Sequence, residues 1–150
     1  MTELERFFTG IEHEFGFYKH GDDEQGCYNK NDFGKVTSIP VGFTNSCWHN
    51  DACPSLSTEG DELEDGDIEA RIWIESADEM KRELNWGAQF SLRVEYCEIM
   101  YIYDSDDWQD IVDHAPMAIE LQKLIAKHGS SDGFDKYADK AKGYGFKYQK

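Results

Sequence analysis

The most constraining feature of the chain is an alternating run over residues 68–75. Every second residue from Ile68 to Ile74 is apolar, and the residues between them are charged or aromatic. An extended strand places alternate side chains on opposite faces, so this pattern predicts a strand with one buried and one open face. Such a strand needs a sheet and a second layer over its apolar face. The chain is therefore expected to build a sheet covered by helices.

A second extended segment is predicted over 88–103. Apolar and polar residues alternate from Phe90 onward, and beyond Cys97 the apolar phase moves to Ile99. We interpret the change of phase as a bulge within one long strand, or as a strand covered on both sides. Together with the first strand, this segment is predicted to form the centre of the sheet.

An amphipathic helix is predicted over 2–15. Thr2 and Glu5 have the spacing of a capping box, apolar residues recur at helical spacing, and Gly16 is placed to end the helix.

The main helix is predicted over 106–128. Apolar residues from Trp108 onward keep helical spacing, and Gly129 is placed to end the helix. Pro116 lies in the middle, where proline removes a backbone donor, so a kink or the start of a second helix is expected there.

Shorter elements are predicted between and after these. A capped helix is expected from Ser76 through Leu84 and another near 132–142, whereas 45–58 has no clear period and is interpreted as a loop. Short strands of a meander are expected at 26–29 and 35–44.

These elements predict a single α+β domain over 1–150. Its antiparallel sheet is centred on the two alternating segments and packed by the helices at 2–15 and 106–128. A short basic and aromatic tail at 143–150 is expected to fold back on the acidic body.

The charge of the chain is strongly asymmetric. Residues 1–120 carry 28 acidic against 8 basic side chains, residues 121–150 carry 3 against 7, and the formal net charge is −16. Such a field repels nucleic acid and anionic membranes and attracts basic proteins. A globule of this length is ~40 Å across, and ~40 Å of duplex DNA holds on the order of 23 charges, a similar number.

Two segments concentrate the acid. Residues 59–69 hold seven acids in eleven positions, and a second group surrounds the start of the predicted main helix. We predict that these carboxylates, with two tryptophans as apolar anchors, bind a partner. The predicted partner-binding residues are Asp61, Glu62, Glu64, Asp65, Asp67, Glu69, Trp73, Asp104, Asp106, Asp107, Trp108, Asp110 and Asp113.

The leading functional hypothesis is a non-enzymatic acidic inhibitor that mimics nucleic acid. Its expected partner is a basic protein, such as a nuclease or a DNA- or RNA-binding effector, with no direct contact to nucleic acid or membrane. Phage-encoded inhibitors of restriction or CRISPR systems and immunity proteins of nuclease toxins have this physical profile. Trp48 is a further candidate anchor, because interfaces need a desolvated centre as well as charge.

Three alternatives stay open. The acid could serve solubility alone in a structural or regulatory subunit, it could reflect adaptation to high salt, or the protein could be a small enzyme that uses carboxylates. No phosphate loop, dinucleotide fingerprint or nucleophile elbow is present, so no cofactor is predicted.

The cysteines and histidines offer two further candidates. Cys27, Cys47, His49 and Cys53 are ligand types that bind structural zinc, but five residues between Cys47 and Cys53 exceed the common spacing. Cys47 and His49 could act as nucleophile and base, although no orienting third group is evident. Both are ranked below the inhibitor hypothesis.

The expected location is the cytoplasm. The first residues lack the basic start and apolar core of a secretory signal, and no apolar run reaches membrane-spanning length. The cysteines are then expected to be reduced thiols.

Overall fold

The computed structural model describes residues 1–16, 28–82 and 87–150. Within these residues the chain forms a seven-stranded antiparallel sheet with helices packed against it, which confirms the predicted α+β class. The strands are β1 Thr44–Asn45, β2 Ser55–Ser57, β3 Asp61–Leu63, β4 Gly66–Ile74, β5 Phe90–Tyr96, β6 Ile99–Ser105 and β7 Lys147–Gln149. The helices are α1 Glu3–Glu14, α2 Trp108–His128, α3 Asp132–Lys136 and α4 Ala138–Gly143.

The strand order is β1-β2-β4-β5-β6-β7, and β3 pairs with the first residues of β4 beside β2. Strands β4 and β5 therefore lie at the centre, as predicted. The long helix α2 packs on β4, β5 and β6, whereas α1 packs against the edge strand β1.

The prediction of one strand over 88–103 is wrong. The segment is a hairpin in which β5 and β6 pair from Tyr96 and Ile99 outward. The change of apolar phase marks the turn at Cys97 and Glu98. After this turn, the apolar side chains of β6 lie on the same face of the sheet as those of β5. Cys97 adopts a left-handed φ of 52°, a conformation that usually favours glycine. Because cysteine occupies this position, the sequence contains no glycine that would have predicted the turn.

Helix α2 is continuous through Pro116, so of the two expectations there the start of a second helix is wrong. Asp107 caps the helix by accepting a hydrogen bond from the backbone N–H of Gln109, and Gly129 ends it with a φ of 91°. Helix α1 has the predicted capping box between Thr2 and Glu5.

Several short elements differ from their predictions. The predicted loop at 45–58 contains β2, because Ser55–Ser57 pairs with the centre of β4. Residues 35–43 are not a strand, although they bury Val36 and Phe43 in the core. The predicted meander strand at 26–29 lies partly outside the described residues.

The two remaining predicted helices also differ from their predictions, and the basic tail contains a short strand. In place of a helix from Ser76 through Leu84 there is one 3₁₀ turn at Glu79–Lys81, capped by Asp78, and Leu84 itself lies outside the described residues. The predicted helix at 132–142 is the pair α3 and α4, and the basic tail ends in β7.

The sheet has two different faces. The inner face carries the apolar residues of β4 and β5, all buried against α2 in one continuous core. The outer face carries the alternate residues of the same strands, including Glu69, Arg71, Arg93 and Glu95. The fold thus places charged side chains in register on a sheet surface that α2 does not cover.

Candidate functional site

The predicted acidic residues divide between the two ends of the sheet. The β3–β4 and β5–β6 turns lie at one end, and the end of β6 with the start of α2 lies at the other. Strand β4 has nine residues and so separates the two ends by roughly 27 Å. The two groups therefore do not form one continuous surface.

The first group, which we call the acidic end, surrounds the two turns. Its members are exposed carboxylates, and one of them, on the β5–β6 turn, was not among the predicted residues. The acidic end comprises Glu62, Glu64, Asp65, Asp67 and Glu98.

Strand pairing places like charges opposite one another beside these turns. Glu62 of β3 pairs directly with Asp67 of β4. Glu69, two residues further along β4 on the same face, pairs with Glu95 of β5. Like charges directly opposite on an antiparallel pair are destabilising. Among the described residues no cation contacts the carboxylate of Glu62 or Asp67, so their repulsion is balanced only by solvent and salt.

Arg71 partly compensates the second pair. Its guanidinium lies 2.9 Å from Glu69 and 3.4 Å from Glu95, with Asp51 at 4.0 Å. Burial raises the pKa of Glu95, and the attraction of Arg71 opposes that shift. The predicted residue Glu69 is thus half-buried in a charge network.

Trp73 belongs to the same network. Its ring lies under Arg71 at 4.9 Å, and its indole N–H donates to Glu95 at 3.4 Å. The half-buried indole is therefore already in contact with the protein's own cation.

The acidic end is fixed by contacts that its sequence does not reveal. The backbone N–H of Asp65 donates to the hydroxyl of Tyr96 at 2.8 Å, which joins the two turns. Glu64 accepts hydrogen bonds from the backbone N–H and the hydroxyl of Ser131, at 3.2 and 3.0 Å.

Asp61 is held by α2 rather than presented to solvent. Its carboxylate accepts from Gln122 at 3.0 Å and from Lys123 at 2.8 Å. Gln122 also donates to the carbonyl of Glu59 and accepts from the backbone N–H of Ala70, both near 3 Å. A polar residue on the buried face of an otherwise apolar helix was the one sequence signal for this role.

The second group is largely occupied with local structure. Asp106 accepts from the backbone N–H of Gln89 at 2.7 Å, Asp110 from the hydroxyl of Tyr103 at 2.8 Å, and Asp113 from Gln109. Asp107 is the cap of α2, as described above. Asp104 is the exception, since its exposed carboxylate has no bond among the described residues.

The predicted tryptophan anchors lie in very different places. Trp108 is only 5% exposed and donates to the carbonyl of Ser38, so this fold leaves almost none of its indole for a partner to contact. Trp48 is 50% exposed, and its ring contacts that of His49 at 4.2 Å with the two planes tilted by 43°. Its loop precedes Ser55, which pairs with Trp73, and so lies away from the acidic end.

The cysteine and histidine candidates gain no support from geometry. Burial raises the pKa of Cys47 to about 12 and that of Cys53 well above its usual range, whereas nucleophilic cysteines have lowered values. Cys27 lies outside the described residues. Within the described ranges no three His, Cys, Asp or Glu side chains could hold a metal ion, and His49 contacts Glu14 at 3.0 Å.

Helices long and apolar enough to cross a bilayer do not occur in residues 1–16, 28–82 or 87–150. Comparison with protein-family models gives no match to the chain. Comparisons with curated proteins and with solved structures also give no match.

Proposed function

We propose that this protein is a non-enzymatic inhibitor that binds a basic nucleic-acid-handling protein through the acidic end. The observation that carries the proposal is the pair of consecutive like-charge register positions, Glu62 with Asp67 and Glu69 with Glu95. The carboxylates of the acidic end occupy the place that phosphates would take in the partner's nucleic-acid-binding cleft.

The electrostatics favour a cationic partner. Successive residues on one face of a strand are roughly 6.6 Å apart, and paired residues on neighbouring strands are roughly 5 Å apart, so the four carboxylates form two short rows. A lysine or arginine side chain of the partner placed between Glu62 and Asp67 would relieve a repulsion that the isolated protein retains, whereas Glu69 and Glu95 are already contacted by Arg71. Binding of a cationic side chain would therefore remove an unfavourable interaction that remains between Glu62 and Asp67 in the folded protein.

The rest of the chain reinforces this field. With a net charge of −16 the protein attracts cationic surfaces over a Debye length. The same field excludes nucleic acid as a direct ligand. Inhibitors of restriction or CRISPR nucleases and immunity proteins of nuclease toxins are the kinds of protein that this proposal indicates.

The test is displacement of a labelled DNA duplex from purified basic nucleases and DNA-binding proteins, followed by fluorescence anisotropy. The variant of the acidic end is E62Q/D65N/D67N/E98Q, which removes carboxylates without a side-chain hydrogen bond among the described residues. The control is E12Q/E79Q/D113N/D139N, in which the same number of exposed carboxylates is neutralised away from the acidic end; of these four, Asp113 accepts a hydrogen bond from Gln109.

The proposal expects at least one target whose duplex is displaced by the wild-type protein, with loss of about tenfold or more in potency for the acidic-end variant. The control variant should lose less than about threefold. Equal losses in the two variants would show that only total charge matters. No displacement from any target would favour the alternative of a subunit whose acid serves solubility.

A further inference from the structure

A groove lies between α1 and the edge strand β1. Its volume is about 500 Å³, which is within the range of small-molecule sites. Thr9, Gly10 and His13 of α1 line one wall, and Thr44 and Asn45 of β1 line the other. None of these residues belongs to the acidic end, so the groove is a separate feature of the surface.

Gly10 brings the two walls of the groove together. It is buried, and a Cβ at this position would lie only 2.4 Å from the side-chain nitrogen of Asn45. Glycine therefore lets the amide of Asn45 lie directly against the helix backbone. Arg6 and His13 lie on the same face of α1 to either side of Gly10, and seven residues of helix place them roughly 10 Å apart. The groove is therefore elongated along α1.

The polar side chains of the groove offer both donors and acceptors to a ligand. The hydroxyls of Thr9 and Thr44 and the ring of His13 have no hydrogen bond within residues 1–16, 28–82 and 87–150. The side-chain oxygen of Asn45 accepts from the backbone N–H of Cys47 at 3.1 Å, which orients the amide. Its side-chain nitrogen has no acceptor in the same ranges. Hydroxyl groups, which both donate and accept, match this set.

The carboxylates and the guanidinium that line the groove already have partners. Arg6 forms a salt bridge with Glu3 at 2.5 Å, and Glu14 lies 3.0 Å from a ring nitrogen of His49. A ligand therefore gains little from a net charge of its own, because exposed charges that are already paired add little to binding. An anionic ligand would also be opposed by the net charge of −16. These features favour a neutral ligand.

Trp48 provides an aromatic surface at the end of the groove formed by Glu14. The ring of Trp48 contacts that of His49 at 4.2 Å, and His49 in turn contacts Glu14, which lines the groove. The indole is 50% exposed, so a large apolar surface remains open to solvent. Covering such a surface with the apolar face of a ligand ring is favourable.

We propose that this groove binds a neutral disaccharide. The hydroxyls of one sugar ring bond with the amide of Asn45 and the hydroxyls of Thr9 and Thr44, and the C–H face of the other ring lies on Trp48. A disaccharide combines many hydroxyl groups, no net charge, an apolar ring face and a length suited to the groove. An apolar ligand of the same size would leave the polar side chains of the groove without partners.

The test uses neutral disaccharides as probes, namely maltose, cellobiose, lactose and N,N′-diacetylchitobiose. Spectra of the backbone ¹⁵N–¹H groups and of the Trp48 indole N–H are recorded for the whole protein during each titration, at millimolar ligand concentrations. The proposal expects at least one probe to give saturable shifts at residues 9, 10, 13, 44 and 45 and at the Trp48 indole. Its affinity should change by less than about twofold between low and moderate salt, because a neutral ligand is not screened.

Two groove variants with matched controls locate the binding. W48A removes the aromatic surface and should weaken the disaccharide by about tenfold, and T44V removes one hydroxyl and should weaken it by about threefold. M80A removes an exposed apolar side chain elsewhere, and T37V removes an exposed hydroxyl elsewhere. Both controls should change the affinity by less than about twofold. Unchanged shifts away from the groove show that the variants remain folded.

Three results would overturn the proposal. None of the probes could give a saturable shift in the groove. W48A could bind as well as the wild-type protein, which would mean that no sugar ring lies on Trp48. The affinity could also fall steeply with salt, which would mean that charge drives the binding. None of these results bears on displacement of DNA from a basic partner, so the failure of this inference is distinguishable from the failure of the proposed function.

Discussion

The backbone N–H of Ala70, in the centre of β4, donates a hydrogen bond to the side-chain oxygen of Gln122 on α2 at 3.0 Å. The hydroxyl of Thr58 donates to the same oxygen at 2.6 Å. The side-chain amide nitrogen donates to the carbonyl of Glu59 and to Asp61. One fully buried amide thus replaces the ladder bonds that are missing where the chain passes from β2 to β3.

Replacement of Gln122 by alanine should therefore be strongly destabilising. The change removes the amide that bonds the backbone N–H of Ala70 and the carbonyl of Glu59, although Ala70 keeps a hydrogen bond to the hydroxyl oxygen of Thr58 at 3.0 Å. Each lost hydrogen bond costs about 0.5–1.5 kcal/mol, and the cavity left by the fully buried side chain adds to the loss. We expect the free energy of unfolding in urea to fall by about 2–4 kcal/mol. Gln109→Ala, on the exposed surface of the same helix, is the control and should change it by less than about 1 kcal/mol. Similar losses in the two variants would contradict this role.

Relief of the like-charge pair should stabilise the isolated protein. Glu62→Gln removes the repulsion between Glu62 and Asp67 and should raise the free energy of unfolding by about 0.2–1 kcal/mol at low salt. The gain should shrink as salt is added, because exposed charges are screened. Unfolding curves at several salt concentrations measure both effects. A loss of stability at low salt would show that this pair is not repulsive.

The raised pKa of Glu95 predicts a particular dependence of stability on pH. Burial makes the folded protein hold the Glu95 proton at pH values where the unfolded chain has released it. The stabilisation is complete below the ordinary glutamate value of about 4.3 and declines as pH rises through the raised folded value.

The measurement is the difference in free energy of unfolding between the wild-type protein and Glu95→Gln across this pH range. The difference isolates Glu95 from other acids, such as Glu120, whose pKa is lowered by its hydrogen bond with Tyr144. We expect the wild-type protein to lose stability relative to the variant as pH rises. A relative gain would reverse the predicted sign.

The described cysteines should react in a fixed order. Cys97 is exposed on the β5–β6 turn, Cys47 is half-buried with a pKa of about 12, and Cys53 is buried. In a Cys27→Ser variant, a maleimide should modify Cys97 first and Cys53 only on unfolding, because the thiolate is the reactive form. Mass spectrometry of peptides over time gives the order. Modification of Cys47 as fast as Cys97 would exclude the burial described for Cys47.

Pro116 should be a site of stabilisation. It lies in the interior of α2, where proline removes one helical hydrogen bond, and its side chain is exposed. Pro116→Ala restores the backbone donor, while the greater freedom of the unfolded chain offsets part of the gain. We expect thermal and urea unfolding to show an increase of about 1–2 kcal/mol. A decrease would mean that the helix needs the proline geometry.

The sequence predicted those elements whose signals are local. The Thr2–Glu5 capping box, the alternation within Ile68–Ile74 and the terminating Gly129 each depend on neighbouring residues, and the structure contains all three. The turn at Cys97 was missed because a left-handed residue without glycine has no sequence signature.

The candidate site could be predicted only in part from the sequence, because it depends on contacts between residues that are far apart in the chain. Acid density correctly indicated exposed carboxylates near the β3–β4 turn, but the register that places Glu69 against Glu95 is a property of the sheet. The structural work of Asp106 and Asp110 also depends on distant partners, Gln89 and Tyr103. The sequence does not reveal these hydrogen bonds, and the second acidic group was therefore predicted to be a partner-binding surface on its charge alone.

The outermost strands of the sheet are very short, with two residues in β1 and three in β7. Edges of this length offer almost no backbone groups with which another chain could extend the sheet, and Lys147 in β7 further disfavours such pairing at one edge. A partner should therefore bind through contacts with side chains, and its affinity should depend on individual residues. For the same reason, copies of the protein should not associate by pairing their edge strands, even at high concentration.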